Sequence, residues 1–110
     1  MIDAIFAVSP AIRYVAVGRG QEVELRERPG LADASSSESD RYEELLVNPT
    51  LITLARQRGE IDCGGLDYLL VAYGNFFQLV LPHGDGHVSV AIERVQSPFE
   101  LVDAVREAIG

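Results

Sequence analysis

Along this chain the spacing of apolar positions switches between a period near two and a period of three to four, and the switches mark out its elements. Residues 12–17 (IRYVAV) and 22–28 (EVELRER) read as strands, and Gly18-Arg19-Gly20-Gln21 between them supplies the positive φ of a hairpin turn. In the second strand Val23 and Leu25 share one face while Glu22, Glu24, Arg26 and Arg28 share the other, the pattern of a charge-protected edge. Residues 66–73, 76–81 and 88–93 form a further set of strands. Gly74-Asn75 and Pro82-His83-Gly84-Asp85-Gly86 join them with turn chemistry, which predicts an antiparallel meander.

Helical spacing fills the gaps. Residues 2–8 allow two turns at most before Ser9-Pro10. Asp40 with Glu43 resembles a capping box, and Asn48-Pro49 repeats the start signal, so the segment is either two helices, 40–47 and 49–58, or one helix kinked at Pro49. Leu51, Leu54, Ala55 and Arg58 fall on one face and carry the apolar stripe past the proline; Arg56, Arg58 and Gly59 then close the helix. Ser97-Pro98-Phe99-Glu100 opens a last helix whose inner side holds Phe99, Val102, Val105 and Ile109. Residues 29–39 (PGLADASSSES) form a small polar loop suited to a mobile surface segment. The expected architecture is a single α+β domain, 1–110, with a five-stranded antiparallel sheet and helices packed on it.

Composition narrows the function classes. The chain has 110 residues, enough for one core without disulfide or metal support, and a formal net charge of −8, which disfavours nucleic acid and anionic membranes as partners. All nine basic residues are Arg, so chemistry that needs an ε-amine is excluded; this usage also points to a bacterial source. One cysteine cannot form an intrachain disulfide, the N-terminus lacks a secretory pattern, and no apolar run approaches the roughly 18–20 residues of a membrane span. A cytoplasmic protein is expected.

Candidate chemistry is sparse. Cys63, followed by Gly64 and Gly65, reads as a small buried cysteine under a helix-to-strand turn rather than a nucleophile. His83 and His87 in HGDGH are expected at opposite ends of a hairpin turn, exposed, with a spacing that matches no standard metal motif. No catalytic, cofactor-binding or metal-binding residue is assigned. SSSESDRYEE would suit phosphorylation but reads better as a solvated cap and loop. Two stretches stand out as surfaces. Glu38, Asp40, Arg41, Tyr42, Glu43 and Glu44 combine acidic groups with an aromatic and an Arg, a candidate partner surface. Residues 66–73 are apolar on both faces, with Leu66, Tyr68, Leu70 and Ala72 on one and Leu69, Val71 and Tyr73 on the other. Such a strand is either central in the sheet or, at an edge, in need of a cover or a partner strand.

The element order and hydrophobic pattern from Ile2 to Ile109 resemble the Roadblock/dynein light chain family of profilin-like domains. The hairpin IRYVAVGRGQEVEL, the helix running into a glycine turn and the closing run FQLVLPHGDGHVSVAIE carry the likeness. The resemblance implies a non-catalytic homodimeric scaffold or regulator, of small Ras-like GTPases or motor complexes, in which strands matching 66–73 pair across the dimer beside helices matching 49–58. Leu51, Leu54, Ala55, Leu66, Tyr68, Leu69, Val71 and Tyr73 are then the dimer residues. The short first helix and Asn48-Pro49 depart from the family pattern. The alternative is a small-molecule-sensing profilin- or PAS-like domain, which requires a cavity lined by Tyr14, Tyr68, Phe76 or Phe77.

Overall fold

A computed structural model describes residues 1–31 and 33–110 of the chain. The first hairpin is β1 (Ile12–Arg19) with β2 (Glu22–Glu27), and the meander is β3 (Leu69–Ala72), β4 (Phe76–His83) and β5 (Gly86–Glu93). They form one five-stranded antiparallel sheet in the order β2-β1-β5-β4-β3. The β4–β5 hairpin is tighter than expected because Pro82 and His83 pair with His87 and Gly86, which leaves Gly84-Asp85 as the turn. β3 is shorter than 66–73 and lies at the sheet edge, which overturns the central-strand alternative. Of the polar loop 29–39, Ala32 lies outside the described residues, and helix begins within it at Ser37.

One face of the sheet carries the apolar core. Ile12, Val15, Leu79, Leu81, Val88, Val90 and Ile92 point there and pack under α1 (Ile2–Phe6) and α4 (Val102–Ile109) through Ile2, Ile5, Val102 and Val105. Each fully buried aliphatic side chain contributes about 1.5–3 kcal/mol, so this layer is the main source of stability. The five-residue α1 cannot persist alone. Arg28 ties it to the sheet, donating from Nε to the Ile12 carbonyl at 2.8 Å and from Nη2 to the Phe6 carbonyl at 3.3 Å. The final helix opens with a 3₁₀ turn, Pro98–Leu101. Tighter winding rotates Leu101 inward and leaves Phe99 66% exposed, correcting its assignment to the inner side.

The middle helical segment is continuous but not uniform: α2 (Ser37–Tyr42), a π turn (Glu43–Val47) and α3 (Asn48–Asp62). Ser36, not Asp40, is the N-cap, its side chain accepting from the Ser39 amide at 3.1 Å. Neither a break nor a second start occurs at Pro49. A proline ring crowds the carbonyl four residues earlier, here that of Leu45, and the wider π turn around Leu45 makes room. The helix also runs past Gly59 to Asp62, because Gly59 lets the helix backbone meet the returning chain; a Cβ there would lie 2.9 Å from the Gly65 carbonyl.

Candidate interaction surface

The π turn decides which side chains of this helix meet the sheet. Asp40, Glu44, Asn48 and Ile52, four residues apart, are all buried. In a regular α-helix of 3.6 residues per turn, that spacing would drift off one face; underwinding at the π turn holds it in place. The inward face is therefore largely polar, and so is the sheet beneath it. Glu44 Oε2 accepts from Tyr14 Oη–H at 2.7 Å, Glu44 Oε1 accepts from Asn48 Nδ2 at 2.9 Å, and His87 Nε2 lies 2.8 Å from the same oxygen. Tyr14 also reaches Gln78 Oε1 at 3.1 Å, Asn48 Nδ2 reaches Ser89 Oγ at 3.3 Å, and Gln78 Nε2 donates to Ser89 Oγ. His87 fits because its partner across β1 is Gly18; a Cβ there would come within 2.5 Å of the imidazole. Burial first, and then the nearby Glu44 carboxylate, drive the Tyr14 hydroxyl far above its ordinary pKa. Among the described residues, Asn48 Oδ1 is the one buried side-chain polar atom without a hydrogen bond.

Several expectations are corrected by this arrangement. Asp40 and Glu44, assigned to an exposed acidic surface, are 4% and 1% exposed. Glu43 is half-buried, whereas Glu38, Arg41 and Tyr42 remain at the surface. His87 is buried, not exposed, and His83 is half-buried. Cys63 is exposed, not buried: it caps the C-terminus of α3 on the rim of the turn, where its Sγ lies 3.3 Å from Asp62 Oδ1. Among the described residues no group of three or more His, Cys, Asp and Glu side chains is placed to hold a metal ion.

The inversion of the helix turns the sequence's apolar stripe outward. Leu51 is 36% exposed, Leu54 60% and Ile61 75%, with Leu46 also outside and Ala55 half-buried. Beside this stripe runs β3. The helical segment is fastened along it at both ends: Glu43 accepts from Tyr73 Oη–H at 3.0 and 3.1 Å, and Gly59 packs on Gly65. Leu70 pairs with Leu79 on the apolar face, where Tyr68 also packs, while Leu69 and Val71 pair with Val80 and Gln78 on the helix side. All of Leu66, Tyr68, Leu69, Val71 and Tyr73 are half-buried. The opposite edge differs, since Glu22, Glu24 and Arg26 alternate along β2.

Next to the π turn, an open cleft of about 550 Å³ separates the helix from the β3–β4 turn; Asp40, Tyr42, Glu43, Tyr73 and Phe76 line it, with Tyr14. Tyr68 and Phe77 pack against the core on the other face of the sheet. Burial raises the Asp40 and Glu43 carboxyls above their ordinary range; hydrogen bonds from Ser35 and Tyr73 oppose this, and the charge of Glu44 adds to it. The Tyr73 hydroxyl is pushed up to about 12 by burial and by Glu43.

The sequence matches no family model and no curated protein. Solved structures do share its architecture. The gliding protein MglB from Thermus thermophilus superposes with a TM-score of 0.70 at 12% identity, covering 97% of this chain and 78% of that one. MglC from Myxococcus xanthus gives 0.56 at 11% identity, covering 97% and 92%. No helix among the described residues is long and apolar enough to cross a membrane. With its five-stranded antiparallel sheet flanked by helices, the chain has a Roadblock-like α+β fold.

Proposed function

We propose that this chain is a non-catalytic interaction module that forms a homodimer through β3 and the outer face of α3, and that the dimer serves as a scaffold or regulator of another protein, a small Ras-like GTPase being the partner class. One observation carries the reading: an apolar strand whose outer edge has no strand neighbour among the described residues lies beside an exposed helical stripe of Leu51, Leu54 and Ile61. A second copy related by a twofold axis would pair β3 with β3 and cover both stripes at once. The regulatory role rests on the Roadblock-like fold shared with a gliding protein and with MglC.

Val71→Lys tests the seam. The substitution sets a charge on each copy beside the axis while leaving an edge strand that a monomer tolerates, and it should weaken association by about a hundredfold. Sedimentation equilibrium across micromolar concentrations reads the effect, and a wild-type chain that stays monomeric there removes the proposal. The sensor alternative is favoured by one feature, the cleft that reaches Tyr14 and Phe76.

A further inference from the structure

The cleft beside the π turn has a volume of about 550 Å³, within the range of ligand sites, and four aromatic rings, Tyr42, Tyr73, Phe76 and the buried Tyr14, stand in its walls among small and polar residues. Asp40 and Glu43 line the same space. Among the described residues, neither carboxylate pairs with a basic side chain. Asp40 accepts from Ser35 Oγ, Glu43 accepts from Tyr73, and the ion pairs among the described residues engage other acids. For Asp40 this is unusual, since a carboxylate only 4% exposed is ordinarily paired. Glu44 adds a third acidic group, and burial together with its charge raises the Asp40 and Glu43 carboxyls.

A flat cation matches these walls better than a compact one. Guanidinium sheds water more readily than ammonium, stacks on rings and spreads several N–H donors over neighbouring acceptors. The chain already uses this contact: Arg94 lies 4.4 Å from the centroid of the Phe77 ring and Arg28 lies 5.0 Å from that of Phe6. Arg13 lies 5.8 Å from the centroid of Phe76 and is held by Glu93 at 3.0 Å. We propose that the cleft binds a guanidinium group, stacked on Tyr42 or Tyr73 and donating to Asp40 and Glu43, as carried by an arginine side chain of a partner protein or by a free guanidino compound. The inference deepens the interaction-module reading and rests on it only for the partner-borne source.

Titration of the isotope-labelled 110-residue chain with N-acetyl-Gly-Arg-Gly-amide, followed by amide chemical shifts, tests it. Shifts should centre on residues 39–43 and 73–76. Replacing arginine by citrulline, which is neutral and nearly isosteric, should weaken binding at least about tenfold, and the lysine peptide should also bind more weakly. Glu43→Gln keeps an acceptor for Tyr73 and should cost about tenfold; Tyr42→Ala, at an exposed position, should cost a similar factor. Free arginine that binds as tightly as the peptide would identify a free guanidino compound, and tighter peptide binding a partner side chain. Unchanged affinity in Val71→Lys would show that the cleft works independently of the dimer seam. The proposal fails if no saturable shift occurs up to about 20 mM, if citrulline or lysine binds as well as arginine, or if Glu43→Gln has no effect.

Discussion

Truncating Glu44 to alanine removes the acceptor around which the buried polar cluster is organised. Its Oε1 serves Asn48 Nδ2 at 2.9 Å and His87 Nε2 at 2.8 Å, and its Oε2 serves Tyr14 Oη–H at 2.7 Å. After truncation Tyr14 keeps Gln78 and Asn48 keeps Ser89, so each of these donors loses about 1 kcal/mol. His87 Nε2 keeps no partner from this set; a buried unsatisfied donor costs about 1–3 kcal/mol. Relief of carboxylate desolvation offsets part of the sum and the vacated space adds to it, for a net loss of about 4 kcal/mol. In a domain of this size that lowers Tm by roughly 20 °C. Urea unfolding followed by far-UV circular dichroism measures it, with Tyr14→Phe as the partner in a double-mutant cycle. A coupling of about 1 kcal/mol is expected, since the two share one hydrogen bond. A loss below about 1 kcal/mol for Glu44→Ala, or strict additivity with Tyr14→Phe, would refute the view that this cluster seats the helix on the sheet.

Other expectations follow from the same geometry. Gly59→Ala gains about 1 kcal/mol of helix propensity but drives a Cβ to 2.9 Å from the Gly65 backbone, so a net loss of about 1 kcal/mol in urea midpoint analysis is expected and a stabilised variant would contradict the packing. Because the folded Asp40 and Glu43 carboxyls titrate above their ordinary values of 3.8 and 4.5, the stability they contribute is fully present below those values and is lost as pH rises through the raised ones. Glu43→Gln should therefore gain stability relative to wild type as pH rises above 4.5, and a pH-independent difference would count against this. Exposed Cys63 should react with a thiol reagent in the native state at close to the rate of the unfolded chain, and Cys63→Ser should leave the unfolding midpoint unchanged.

The order of elements was legible in the sequence because it depends on local chemistry. Strand alternation in EVELRE, the Gly74-Asn75 turn and Ser97-Pro98 are signals a few residues long, and the apolar strands that make the main core face one side by period two, except in β1, where a register shift between Ile12 and Tyr14 brings Ile12 onto the face of Val15. What the sequence misplaced was the polar side of the middle helix, since Asp40 and Glu44 read as a partner surface while Leu51, Leu54 and Ala55 were already assigned outward. Leu51, Leu54 and Ala55 form its obvious apolar stripe, yet Asp40, Glu44 and Asn48 are the residues turned inward. Hydrophobic periodicity ranks faces by apolarity, and this helix buries its polar side because the sheet below presents Tyr14, Gln78, His87 and Ser89, drawn from distant strands that only the fold brings together. A signal was present in retrospect: Gln78, His87 and Ser89 interrupt otherwise apolar strands at alternate positions, which a buried face tolerates only if something polar covers it. The same tertiary choice moved His87 inside, left Cys63 outside and placed Asp40 against a cleft. Local chemistry along the chain therefore set the layers and their strands. Which helical face meets the sheet, and so which apolar residues are left for a partner, was decided by hydrogen-bond satisfaction across strands and by the π turn that keeps those donors and acceptors in register.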